Sequence, residues 1–103
     1  MNKPELLRKL ELIDREGEYS DLSIKVVEDL INETKDIETM YELVWDYCDN
    51  EMIYYSQAFN YLMDNNITDF EESIKEFGCT NVCGIAFYYL YNEVNAIIRE
   101  LGE

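Results

Sequence analysis

Ile37, Met40, Tyr41, Val44 and Cys48 are spaced by three and four residues, so a helix would carry all five on one stripe. The same period recurs along the chain. Leu6, Leu7, Leu10 and Ile13 form one further stripe, and Leu22, Val26, Val27, Leu30 and Ile31 form another. Near the end, Val82, Ile85, Ala86, Tyr89, Leu90, Val94, Ile97 and Ile98 make the most apolar one, which should lie at the centre. Helices patterned this way bury their stripes against one another. The expected fold is all-α: one domain over residues 1–103, a compact bundle of about five to six short helices.

Caps and breakers set the expected boundaries. The first helix should run from about Lys3 to Arg15, with Pro4 in its first turn and Gly17 as its stop. The second starts after Ser20, with Asp21 at the positive end of the dipole, and ends near Thr34-Lys35. The third starts after Asp36 and breaks at Asp49-Asn50. The fourth covers about Met52 to Asn65, with Ser56 as an alternative cap. Its opening residues, Met52-Ile53-Tyr54-Tyr55, are β-branched and aromatic enough to form a small hairpin instead. Thr68-Asp69-Phe70-Glu71 reads as a capping box for a short fifth helix that buries Phe70, Ile74 and Phe77 and stops at Gly78. The sixth starts after Thr80 and reaches about Leu101. Gly84, one turn inside it, marks a place where another helix should pack closely. No linker, low-complexity tract or internal repeat interrupts this order.

Charge limits the partners. The chain has 23 Asp and Glu against 8 Lys and Arg, a formal net charge of −15. Such a chain repels nucleic acid and anionic membranes and is drawn to cationic surfaces, of which nucleic-acid-binding proteins carry the strongest. Acidity for solubility alone explains the same count. The opening Met1-Asn2-Lys3-Pro4-Glu5 lacks the apolar core of a secretory leader, and no run nears the ~20 apolar residues of a membrane span. Together with an odd number of cysteines, this predicts a cytoplasmic protein with reduced thiols.

Catalytic chemistry is thin. There is no histidine, the commonest general acid or base and a common metal ligand. Cys79 and Cys83 stand four apart and Cys48 lies far off in sequence, without the C-x-x-C pairs of a zinc site. Asp64-Asn65-Asn66 lacks the glycine and closing glutamate of a calcium loop. No phosphate-binding or nucleophile-elbow motif is present. The expectation is a binding protein without catalytic, metal or cofactor residues.

The carboxylates are unevenly spread. Between Lys35 and Lys75 there are ten acids and no basic residue. Glu38, Glu42 and Asp46 follow one another at four-residue steps and Asp49 continues the face, clear of the apolar stripe. Like charges at that spacing cost a helix ~0.2–0.5 kcal/mol per pair, so a chain shaped by folding alone would mix signs there. A row of carboxylates ~5–6 Å apart approximates a phosphate backbone that advances 3.4 Å per nucleotide. Glu71, Glu72 and Glu76 on the fifth helix offer a further row, and so do Asp21, Glu28, Asp29 and Glu33 on the second, though Lys25 interrupts that one. The nine tyrosines outnumber what a small core can bury. Tyr54, Tyr88 and Tyr91 are the ones expected at a contact surface, since tyrosine is enriched at interface centres.

The segment Glu51-Met52-Ile53-Tyr54-Tyr55-Ser56-Gln57-Ala58-Phe59-Asn60-Tyr61-Leu62, then Asn65-Asn66-Ile67-Thr68-Asp69-Phe70 and Ile85-Ala86-Phe87-Tyr88-Tyr89-Leu90-Tyr91, resembles small acidic proteins of phages and mobile elements of low-GC bacteria. The resemblance covers about the C-terminal half. It implies an anti-CRISPR or antirestriction role by DNA mimicry inside a bacterial host. The implied partner is a basic nucleic-acid-binding protein such as a Cas nuclease, first of all Cas9, whose grooves are lined with Arg and Lys. Glu38, Glu42, Asp46, Asp49, Glu71, Glu72, Tyr54, Tyr88 and Tyr91 are the expected contact residues. Two rivals remain: a helical adaptor or homodimer that uses the Tyr-rich sixth helix, and a metal or redox sensor built on Cys48, Cys79 and Cys83.

Overall fold

Asn2 accepts the Glu5 backbone N–H on its side-chain oxygen at 3.0 Å and opens α1, Lys3–Glu16, which ends where Gly17 turns left-handed at φ 74°. The computed structural model describes residues 1–34 and 36–103. The remaining helices are α2 (Asp21–Thr34), α3 (Ile37–Glu51), α4 (Tyr55–Asp64), α5 (Phe70–Phe77) and α6 (Val82–Leu101). All six elements among the described residues are helices, as the apolar periodicity predicts. Lys35, at the expected end of the second helix, lies outside the described residues.

Several expected boundaries move, each for a local reason. α3 runs through Asp49-Asn50 to Glu51, because Met52 continues the Met40, Val44, Cys48 stripe by one more step of four and is buried at its end. The possible hairpin at 52–55 is absent. Tyr54 alone has extended angles, Tyr55 begins α4, and no strand lies alongside among the described residues. β-propensity is realised only against a cross-strand neighbour, and Ile53, Tyr54 and Tyr55 are all exposed. The cap of α4 is therefore Tyr54 and not Ser56. Asp69, not Thr68, caps α5, accepting the Glu72 N–H at 3.0 Å. Asn81, not Thr80, caps α6, accepting the Gly84 N–H at 2.6 Å. Ser20 behaves as expected: its hydroxyl oxygen accepts the Ser23 N–H at 3.2 Å at the start of α2.

α6 is the hub, packing against each of the other five helices. Its Leu90, Val94, Ile97 and Ile98 have no solvent exposure, and they meet equally buried side chains such as Leu6, Leu30 and Val44. Fully burying one such side chain contributes ~1.5–3 kcal/mol, and most of that sum offsets the chain entropy lost on folding. Gly84 corrects another expectation. Among the described residues, the atoms nearest to a Cβ built there belong to Cys79, whose Sγ it would overlap, and to Asn81, both in the loop that leads into α6 and not in another helix. The buried face expected for α5 is only half-closed, with Phe70, Ile74 and Phe77 partly exposed and Ser73 fully buried.

Candidate functional site

The solvent face of α3 carries the acidic row. Glu38, Glu42, Asp46 and Asp49 are all exposed, while Met40, Val44 and Cys48 on the opposite face are sealed in the core. At 1.5 Å per residue the four carboxylates span ~16 Å, the axial length of about five nucleotides of one DNA strand. Among the described residues, no lysine or arginine lies within salt-bridge distance of this row; the ion pairs are Arg15–Glu11, Lys25–Asp29 and Lys25–Glu51. Lys25 sits 3.4 Å from Asp29 and 3.7 Å from Glu51, so the expected row on α2 is partly neutralised. The charge of Glu51 and then that of Asp29 raise the Lys25 pKa accordingly.

Beside the acidic row lies an aromatic seam. Trp45 packs on α6 with ring centroids 4.5 Å from Phe87, 5.5 Å from Tyr91 and 6.5 Å from Tyr88, yet keeps 51% of its surface in solvent. Tyr88 in turn stacks at 5.5 Å on Phe77, the last residue of α5. Tyr88 and Tyr91 are thus half-buried members of this seam, joined to α3 through Trp45. Tyr41, placed by periodicity on the buried stripe, is instead 41% exposed one turn before Trp45. Met40, Val44 and Cys48 are closed in by both α2 and α6, while Tyr41 and Trp45 stay at the rim of that contact.

The other expected residues are placed differently. Glu71 and Glu72 are exposed in the first turn of α5, where the helix dipole favours negative charge and gives them a structural role of their own. They reach the α3 row only indirectly, through Phe77, Tyr88 and Trp45. Tyr54 is 66% exposed at the opposite, C-terminal end of α3 and has no aromatic partner among the described residues. It belongs to a second patch with Ile53, Tyr55 and Phe59, in which Tyr55 and Phe59 stack at 5.9 Å. The whole stretch from Met52 to Met63 carries no charge.

Sequence reasoning passed over Trp45, the only tryptophan, and over Ile53 and Phe59. The signal for Trp45 was its position between the carboxylates and the buried stripe. An open cleft of about 500 Å³ between α2 and α4 was also invisible in the sequence; Asp21, Lys25, Glu51, Asn60, Tyr61 and Asp64 help line it. Cys48 is buried in the core on α3, whereas the half-exposed Cys79 and Cys83 flank the start of α6. Among the described residues no three His, Cys, Asp or Glu side chains converge as a metal site would require, and no helix is long and apolar enough to cross a membrane.

No protein-family model matches the chain, and no match is found among curated proteins or among solved structures.

Proposed function

We propose that this chain is a non-catalytic inhibitor from a phage or mobile element, acting in the cytoplasm of a bacterial host. Its α3 face docks on the cationic nucleic-acid-binding surface of a defence effector, first of all a Cas nuclease such as Cas9, and keeps DNA out. The observation that supports this most is the row of Glu38, Glu42, Asp46 and Asp49 on one exposed helix face, without a salt-bridge partner among the described residues. Its like charges oppose the helix that carries them, which folding alone does not require. The half-exposed Trp45 and Tyr41 beside the row add the aromatic anchors that interface centres favour.

The test is DNA binding by a guide-loaded Cas nuclease with and without the protein. The wild type should displace DNA at ~0.1 M salt and lose most of its effect near ~0.5 M, where the screening length falls well below 10 Å. The triple variant Glu38→Lys, Glu42→Lys, Asp46→Lys should keep its helical circular dichroism and stop inhibiting. Undiminished inhibition by that variant would remove the α3 row from the mechanism.

A second reading rests on the exposed, uncharged patch of Ile53, Tyr54, Tyr55 and Phe59. A patch of that kind suits an adaptor or homodimer contact. Such a contact would hold, or tighten, as salt rises, opposite to the acidic docking.

A further inference from the structure

We propose that the α3 face selects arginine over lysine on its partner, with Trp45 as the selecting residue. This rests on the docking of α3 proposed above and adds which cation the surface accepts.

The inference comes from how acids and aromatics alternate along α3. Glu42 precedes Trp45 by three residues and Asp49 follows it by four, so both lie next to the indole on the helix surface, with Cβ atoms ~5–6 Å apart. Glu38 and Tyr41 repeat the same three-residue pairing one turn earlier. Trp45 is held at its inner side by Phe87, Tyr88 and Tyr91, while half of its surface faces water among these carboxylates. The indole is thus fixed before any partner arrives, which limits the entropy cost of using it.

Arginine and lysine answer such a surface differently. Guanidinium is planar and weakly hydrated, so it stacks on an aromatic ring while its edge donates two hydrogen bonds to a carboxylate. Ammonium is compact and strongly hydrated, and it meets the carboxylates as a point charge. A bare row of acids distinguishes the two only through that bidentate geometry. A row with a half-exposed indole beside Glu42 and Asp49 favours the cation that can use ring and carboxylate together. The partner surface this face fits is therefore an arginine-rich groove or helix.

Decaarginine and decalysine peptides serve as probes, with the full chain at ~0.1 M salt. Trp45 is the sole tryptophan, so its emission reports contact at this position directly. Decaarginine should bind at least ~5-fold more tightly than decalysine and change Trp45 emission more strongly at saturation. In Trp45→Leu, which keeps an apolar side chain on the seam, calorimetry should show the ratio falling to about 2 or less. Asp46→Asn, which leaves Glu42 and Asp49 in place beside the indole, should weaken both peptides alike. Equal affinities in the wild type, or a ratio that survives Trp45→Leu, would overturn the selectivity and leave the acidic docking standing. Failure of both peptides to bind would overturn the docking as well.

Discussion

Glu93 Oε1, midway along α6, accepts the backbone N–H of Ser20 at 2.8 Å and so fixes the start of α2 against the hub helix. The same carboxylate accepts the Ser23 hydroxyl at 3.3 Å and, through Oε2, the Tyr61 hydroxyl of α4 at 3.4 Å. One side chain thus joins three helices. Glu93→Ala should destabilise the fold by ~2–3 kcal/mol, since hydrogen bonds to a charged group are lost and buried donors are left without an acceptor. Glu93→Gln should cost less, because it keeps one acceptor oxygen. Urea unfolding of both variants measures the difference.

Stability should fall at alkaline pH. Burial pushes the Cys48 thiol up to about 12, with the charge of Glu51 adding to it. The bond to Glu100 and then burial push the Tyr19 hydroxyl up to about 12, and burial with Glu93 raises Tyr61 further. Each group has a folded pKa above its unfolded value of ~8.5 for Cys or ~10 for Tyr. Their contributions are therefore complete below the unfolded values and are lost as pH rises through the folded ones. The urea midpoint should stay level from neutral pH to ~8.5 and then decline toward ~12. Cys48→Ala should remove the earliest part of that decline.

The three thiols should separate cleanly. Cys79 and Cys83 are half-exposed and should react with an aromatic disulfide reagent in the folded protein, while Cys48, with no exposed surface, should react only at the rate of unfolding. Counting released chromophore before and after adding denaturant checks this; fast reaction of all three would contradict the buried placement of Cys48.

Gly84 and Cys79 should be coupled. Gly84→Ala alone places the new Cβ on Cys79 Sγ, so the half-exposed Cys79 side chain must turn to another rotamer, at a cost of ~0.5–1.5 kcal/mol. Once Cys79→Ala has removed that sulfur, the same change should become nearly neutral, with the Asn81 cap at 3.2 Å the nearest side chain left to adjust. Melting curves of the two single variants and the double variant give the interaction energy directly.

What was legible in the sequence follows from the range of each interaction. Helix stops at Gly17 and Gly78 depend only on local backbone sterics, and both glycines are left-handed. The buried stripes of α1, α2 and α6 depend only on period. Errors arose where a distant element decides. Met52 extends α3 because the core takes it in, and Tyr41 stays out at the rim of the contact with α2 and α6. Glu93 looks in sequence like any surface acid, since its partners Ser20 and Tyr61 stand 73 and 32 residues away. The acidic row on α3 was readable because it needs nothing beyond one helix's own geometry. Its companion Trp45 was not, because its role depends on rings from α6. Glu71, Glu72 and Tyr54 have the residue types of a contact surface, but they lie apart from that seam.

The central position of α6 has a consequence for how the chain comes into being. Synthesis runs from the N-terminus, so α1 to α5 leave the ribosome before the helix that all of them pack against. Lys9 Nζ finds the Leu101 carbonyl, its 3.2 Å partner, across 92 positions. Until α6 emerges, α1, α2 and α3 can pack only on one another, and the apolar faces that α6 covers stay open. The core that α6 completes can therefore close only after α6 has emerged.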